Sequence, residues 1–288
     1  MTVDTAVPPP LPAAGTAPVL SLRAIDKSFG AVRALTEVSL DVSAGEVVAL
    51  VGDNGAGKST LAKVISGVHQ PDSGEIVYQG EPVHLGSPAA AQRLGISTVF
   101  QDLALCDNLD VVANLFLGQE RGSDFWMDEV AMEKESLRLL RQLSAKIPSV
   151  RTLIAGLSGG QRQTVAIARS LVTEPQIVLL DEPTAALGVA QTAEVLNLIE
   201  RLRDGGLGVI LISHNMADVQ AVSDRIVVLR LGRNSAEFRA GEVSTDQLVT
   251  AITGASDNVV AARRDRAAGQ GHAGATASSD VVTGEGAP

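Results

Sequence analysis

Residues 52–60 read Gly52-Asp53-Asn54-Gly55-Ala56-Gly57-Lys58-Ser59-Thr60, a G-x-x-x-x-G-K-[ST] pattern that directly follows the apolar run Val47-Val48-Ala49-Leu50-Val51. A β-branched run that enters a glycine-rich turn and leaves it as a periodic helix is the setting in which this pattern can cradle a polyphosphate. The backbone N–H groups of residues 54–58 can line a concave nest at a helix N-terminus, where oriented donors and the helix field both favour phosphate oxygens. Lys58 would reach the outer phosphates and Ser59 would hold Mg²⁺. Standing alone, the pattern has a flexible glycine turn as its rival; with strand, loop and helix together, nucleotide binding is the stronger reading.

The chain has 288 residues, enough for one or two domains. Residues 1–18 are rich in Pro, Ala and Thr and lack the basic start and apolar core of a signal peptide, so they are expected to be disordered. Residues 257–288 are rich in Gly, Ala and Ser and carry the same expectation. That leaves residues 19–256 for a single α/β core with a small insertion. A formal net charge of -10 gives no whole-chain attraction to nucleic acid or anionic lipid, and 2% aromatic residues poorly support a base-stacking surface. No apolar run approaches the roughly 20 residues that span a bilayer, so no direct membrane span is expected and membrane association would need a protein partner. The single Cys106 excludes an internal disulfide and suits a reducing cytosol.

Residues 19–24 and 38–42 read as strands flanking a turn at Gly30-Ala31-Val32, a small strand-rich layer at the start of the chain. Further strands are expected at 47–51, 75–78, 96–100, 177–180, 208–212 and 225–229. Helices are expected at 59–66, 88–94, 159–171 and 189–202, the second opened by Ser87 and Pro88. Between about 105 and 158 helical stretches dominate, at 111–117 and 127–143, with Met127, Val130, Leu137 and Leu140 as the apolar stripe of the latter. This segment reads as an inserted helical lobe. Strands alternating with helices imply a sheet covered on both faces.

Ile177-Val178-Leu179-Leu180-Asp181-Glu182 would bury a central strand and leave two carboxylates at its C-terminal end, where open α/β sheets meet their ligands. Asp181 can join a Mg²⁺ shell and Glu182 can orient or polarise water, because phosphoryl transfer asks mainly for positioning and charge compensation. Leu157-Ser158-Gly159-Gly160-Gln161 opens another helix, and Ser158, Gly159, Gly160 and Gln161 can offer backbone donors and a hydroxyl at its positive end. One chain already has a complete phosphate loop, so this second surface would complete the site of another subunit; an ordinary N-cap and hinge is the equal alternative. His214 follows the strand 208–212 and can approach the terminal phosphate or the attacking water, or be a surface histidine. Gln101, after the strand 96–100, can see water or metal, or merely cap a turn. The remaining histidines have no metal-ligand spacing.

Taken together and in order, Gly52 to Thr60, Gln101, the Leu157 to Gln161 phrase, Ile177 to Glu182 and His214 resemble the Walker A, Q-loop, signature, Walker B and H-loop of an ABC transporter ATPase subunit. The resemblance implies a RecA-like P-loop NTPase core with an N-terminal antiparallel β layer and an inserted helical subdomain. It also implies ATP and Mg²⁺ as ligands, Glu182 as catalytic carboxylate, and Ser59, Gln101 and Asp181 around the metal. His214 would contact the γ-phosphate. Phe29 would match the aromatic residue that stacks on adenine, with a core position in the N-terminal layer as its alternative. The phrases around Ser158, Asp181 and His214 look like the simple-sugar branch of importers. Its ATPases pair head to tail, bind membrane permease subunits and, through these, serve an extracytoplasmic solute-binding protein, at the cytoplasmic face of the membrane.

One position departs from that resemblance. Where the family commonly has Asp after Ala-Leu, this chain reads Ala185-Ala186-Leu187-Gly188, so no carboxylate is offered there to couple the two sites. An ABC-type ATPase acting on a macromolecular complex, or a nucleotide-gated interaction module with weak hydrolysis, are the competing readings.

Overall fold

The computed structural model describes residues 17–123 and 126–254, and all that follows refers to these. The expectations of disorder for the two ends fall almost wholly outside them. Within them, β1 (Leu20–Phe29) and β2 (Val32–Val42) make a long antiparallel hairpin whose turn uses Gly30 at φ +59°. The chain continues through β3 (Val47–Val51), α1 (Lys58–Ile65), β4 (Ser73–Tyr78), β5 (Glu81–Pro82), α2 (Pro88–Arg93), β6 (Ile96–Val99) and α3 (Val111–Phe116). A short hairpin of β7 (Gly122–Ser123) and β8 (Trp126–Met127) precedes α4 (Glu129–Gln142) and α5 (Gly159–Ser170). Then come β9 (Ile177–Asp181), α6 (Val189–Asp204), β10 (Gly208–Ile212), α7 (Met216–Val222), β11 (Arg225–Arg230), β12 (Arg233–Arg239) and α8 (Thr245–Thr253).

The central sheet has the order β12-β11-β3-β10-β9-β6, parallel throughout except for the antiparallel edge strand β12. Every residue of β3 and β10 is buried, which is why these strands read as unbroken apolar runs instead of alternating. A second, antiparallel sheet of order β2-β1-β4-β5 covers one face. Leu20, Leu22 and Leu40 from that layer share a core with Val48, Leu50, Leu61, Ile65, Ile210 and Ile212. On the opposite face Val178, Leu180, Val209 and Leu211 pack with Val165 and Ile167 of α5 and Leu198 and Ile199 of α6. The fold is that of a RecA-like core with an N-terminal β layer, as the resemblance implied.

Buried Arg225 stitches the layers together. Its Nε donates to Glu46 Oε1 at 2.8 Å, Nη1 to Glu237, and Nη2 to the Asp41 carbonyl at 2.5 Å, so β2, β11 and β12 meet on one satisfied cation.

Helices form within residues 105–158, but of the expected apolar stripe only Leu140 is buried. α4 buries Met132, Ser136, Leu139 and Leu140, while Met127, Val130 and Leu137 are exposed. The helix starts after Met127, with the Asp128 carboxylate accepting from Ala131 N–H at 2.9 Å. A serine within the buried face concealed the true period, and it is satisfied by donating to the Met132 carbonyl at 2.8 Å. Buried Asn114 of α3 holds the lobe's entry: its Oδ1 accepts from Cys106 N–H at 2.7 Å and its Nδ2 faces the carbonyls of Cys106, Leu109 and Asp110.

Candidate functional site

The parallel register gathers the singled-out residues at one edge of the sheet. Leu50 pairs with Ile212, Ile212 with Asp181, and Val99 with Leu180. Two residues past Leu50, Ile212 and Val99 lie Gly52, His214 and Gln101, so all three leave the sheet at the level of Asp181 and Glu182. This is the C-terminal edge, where crevices open in such sheets.

The phosphate loop is shaped by close backbone approaches. Gly52 has φ +157° and a Cβ there would stand 2.3 Å from the Leu229 carbonyl oxygen; at Gly57, with φ +105°, it would stand 2.8 Å from that of Ala34. Gly55, at φ +79°, has nothing within 4 Å of where a Cβ would be, which leaves one side of the loop open to a ligand. Gly232 N–H in the turn after β11 donates to the Ala56 carbonyl at 3.1 Å and braces the loop from behind. Lys58 Nζ folds back to the carbonyls of Gly52 (2.7 Å) and Asp53 (3.0 Å), so the ammonium already sits within the loop. Ser59 and Thr60 follow in the first turn of α1.

At the end of β9, burial first and the neighbouring Glu182 charge second push the Asp181 carboxyl above the usual carboxylate range, against the opposing pull of Lys58 and Lys63. Glu182 itself adopts φ +51°, with its N–H held by the Ile212 carbonyl at 2.9 Å. Its Oε2 accepts from His214 Nδ1 at 2.8 Å. A non-glycine residue in the left-handed region, pinned on both sides, is the kind of strain that collects at functional positions.

Ser158 is the N-cap of α5 in a reciprocal capping box: its Oγ accepts from Gln161 N–H at 3.3 Å and its N–H donates to Gln161 Oε1 at 2.9 Å. Gln161 Nε2 also donates to the Lys146 carbonyl at 2.8 Å, tying the cap to the lobe. Gly159 and Gly160 are regular helical residues, so this phrase is a formed helix terminus with exposed Ser158 and Gly159, and no hinge.

A family profile described as "ABC transporter" matches residues 35–185, more than half of the chain. The chain belongs to the ABC transporter family. A xylose/arabinose import ATP-binding protein from Sulfolobus acidocaldarius is 44% identical over 235 residues, 82% of this chain and 94% of that protein. A fructose import ATP-binding protein from Rhizobium meliloti is 43% identical over 246 residues, 83% of this chain and 95% of that protein. Among solved structures, a dimeric ATP-binding cassette in a post-hydrolysis state with ADP and Pi matches with a TM-score of 0.66 and 28% identity, over 77% of this chain and 98% of that one.

As an ABC ATPase, the chain is an ATP-hydrolysing enzyme that uses ATP and Mg²⁺. Its residues fit both ligands: the glycine-shaped loop is open at Gly55, and the Asp181 carboxyl, raised by burial and by the adjacent Glu182 charge, is a group that a nearby cation would relieve. Phe29 is 44% exposed, so it is no core residue of the β layer. Its ring meets the imidazole of His69 edge-on at 5.1 Å, with Lys27 Nζ 5.6 Å away. Gln101 is also exposed.

The sequence did not single out Arg169, although it fixes the segment after Gln101. Its two Nη atoms donate to the carbonyls of Ala104 (2.8 Å) and Leu103 (2.9 Å), and burial lowers its pKa. Buried Asp218 was missed as well; its Oδ2 accepts from Thr184 Oγ1 at 2.7 Å. Neither carries a local spacing that would have marked it, since each acts on a segment remote in sequence. Helix α6 begins at Gly188, whose φ of −75° and ψ of 166° are those of an ordinary N-cap. That backbone conformation is open to any residue.

Proposed function

We infer that the chain energises import of a small solute of the simple-sugar class through a separate membrane permease, bound at the membrane's cytoplasmic face. The observation that carries this reading is the match to sugar-import ATP-binding proteins along most of both chains, with different sugars named for the two. That difference leaves the sugar itself to the permease and to an extracytoplasmic binding protein.

In this reading the backbone of residues 54–58 and Lys58 hold the β- and γ-phosphates, and Phe29 stacks on adenine. Ser59, Asp181 and Gln101 would hold Mg²⁺, which when bound supplies charge compensation to the phosphates. Glu182 orients the attacking water and accepts its proton in the transition state, while His214 steadies the carboxylate and contacts the γ-phosphate. Ser158, Gly159, Gly160 and Gln161 close the nucleotide site of a second chain packed head to tail.

The lobe supplies a surface for the permease. Leu117, Met127 and Leu153, exposed apolar side chains, line a groove of about 450 Å³ beside Asp110, Glu120 and Glu129. Arg151 also lines the groove and pairs with Asp110 and Glu129, so the rim is mixed in charge, and the exposed apolar patch suits an amphipathic partner segment.

Affinity purification of the full chain from detergent-solubilised native membranes, with mass spectrometry, tests the reading. A polytopic permease is the expected partner, and hydrolysis by the reconstituted complex should rise with a sugar-loaded binding protein. Recovery of a ribosomal or DNA-repair assembly in its place would overturn it.

A further inference from the structure

Helices α5 and α6 begin side by side. A Cβ on Gly160 would lie 3.1 Å from Gln191 Cβ and 3.2 Å from Gln191 Cγ, and one on Gly159 would lie 3.2 Å from Leu187 Cδ2. The signature glycines thus rest directly on side chains from the first turn of α6 and the residues before it. The same Gln191 has a second contact: its Oε1 accepts from Gly188 N–H at 3.3 Å. A glycine N-cap has no side-chain acceptor for the free N–H groups of the first turn, so the tie between the 184–188 segment and α6 depends on Gln191 and on the backbone bond from Thr192 N–H to the Gly188 carbonyl (2.9 Å). At its other end the segment starts from Glu182, bonded to His214, and from Thr184, bonded to Asp218. A short stretch of chain therefore runs from the carboxylate of one nucleotide site to the surface that closes the other.

We propose that Gln191 is the positioning residue that joins these two ends. Its amide oxygen holds the Gly188 turn and its aliphatic stem supports Gly160, beside Leu187 under Gly159, so the signature offered to one nucleotide is set by the Glu182 segment that serves the other. The proposal rests on the head-to-tail pairing stated above. Gln191 acts through the glycines it contacts and touches no nucleotide.

The test uses the full-length chain with Mg-ATP, measuring phosphate release against ATP and protein concentration, nucleotide affinity under dilute conditions, and melting temperature. Gln191→Ala removes the amide acceptor and trims the stem to its Cβ; it is expected to lower kcat about three- to tenfold and flatten cooperativity in ATP, with the affinity of the dilute chain at the wild-type value. Gln191→Glu keeps stem and acceptor and should restore both readouts. Gln191→Met keeps the stem alone; it should fold and still lose cooperativity, which makes it the deciding variant if Gln191→Ala is unstable. Wild-type kcat and cooperativity in either folded Ala or Met variant overturns the proposal, as does failure of Gln191→Glu to rescue. A purely structural role would lower the melting temperature and leave the kinetics of the folded fraction intact. Glu182→Gln serves as the control: if it traps a dimer while Gln191→Ala behaves as wild type, the head-to-tail reading stands and only the role of Gln191 falls. Absence of any dimer in Glu182→Gln removes the pairing itself.

Discussion

His214 Nδ1 and Glu182 Oε2 lie 2.8 Å apart across the ends of two neighbouring parallel strands. The bond holds the carboxylate at the sheet edge although its backbone sits at φ +51°. Glu182→Gln preserves an acceptor for His214 and the shape of the side chain, but loses the charge that draws a proton from water. ATP affinity should stay within about twofold of wild type while hydrolysis falls by about 10²-fold or more. Single-turnover phosphate release checks this, and wild-type release would remove Glu182 from the catalytic role.

Asp181 carries a stability penalty that its site needs. Because its pKa is raised in the fold by burial and by Glu182, the folded chain holds that proton more tightly than the unfolded chain does. Stability is therefore lost as pH rises from the ordinary carboxylate pKa through the raised one. Asp181→Asn should raise the melting temperature of the nucleotide-free chain at neutral pH, because the amide does not carry the charge that burial and Glu182 oppose. The gain should shrink as pH falls, and Mg²⁺-dependent turnover should be lost. A drop in melting temperature at neutral pH would contradict this account of Asp181.

The strands and the phosphate loop were legible because burial on both faces forces unbroken apolar runs, as in Val47–Val51 and Ile177–Asp181, and because the glycines of the loop answer local backbone demands. What escaped is of two kinds. β12 reads Arg-Asn-Ser-Ala-Glu-Phe-Arg, a half-exposed edge strand with no apolar alternation, and α7 is only seven residues long. In α4 the buried Ser136 broke the stripe, and the exposed Val130 and Leu137 stood in for it. The site's supports, Arg169 on the Leu103 and Ala104 carbonyls and Asp218 on Thr184, are tertiary contacts that no spacing announces. Their partners could be named only once the strands were in register.

Asn114 gives a stability test of the lobe. Its buried amide satisfies the Cys106 N–H and faces three carbonyls, so Asn114→Ala would strand several polar groups and leave a small void. The expected loss is about 2–4 kcal/mol. Denaturant unfolding measures it, and a change below about 0.5 kcal/mol would mean that the 106–110 segment holds its shape without the amide.

Gly188→Asp separates two effects at one position. The glycine has the extended conformation of an N-cap and nothing within 4 Å of where a Cβ would be, so Asp enters without strain or collision. Its carboxylate can accept from the free N–H groups at the start of α6 and sits at the positive end of that helix, a gain of a few tenths of a kcal/mol over glycine. Melting temperature should therefore hold or rise slightly. Hydrolysis is the informative readout: if a carboxylate here couples the two nucleotide sites, the variant in its permease complex should hydrolyse faster or more cooperatively in ATP, with unchanged affinity in the dilute chain. Because the N-cap geometry leaves an aspartate here unstrained, unchanged or slower hydrolysis in a stable variant would reject the idea that coupling waits on a carboxylate at 188.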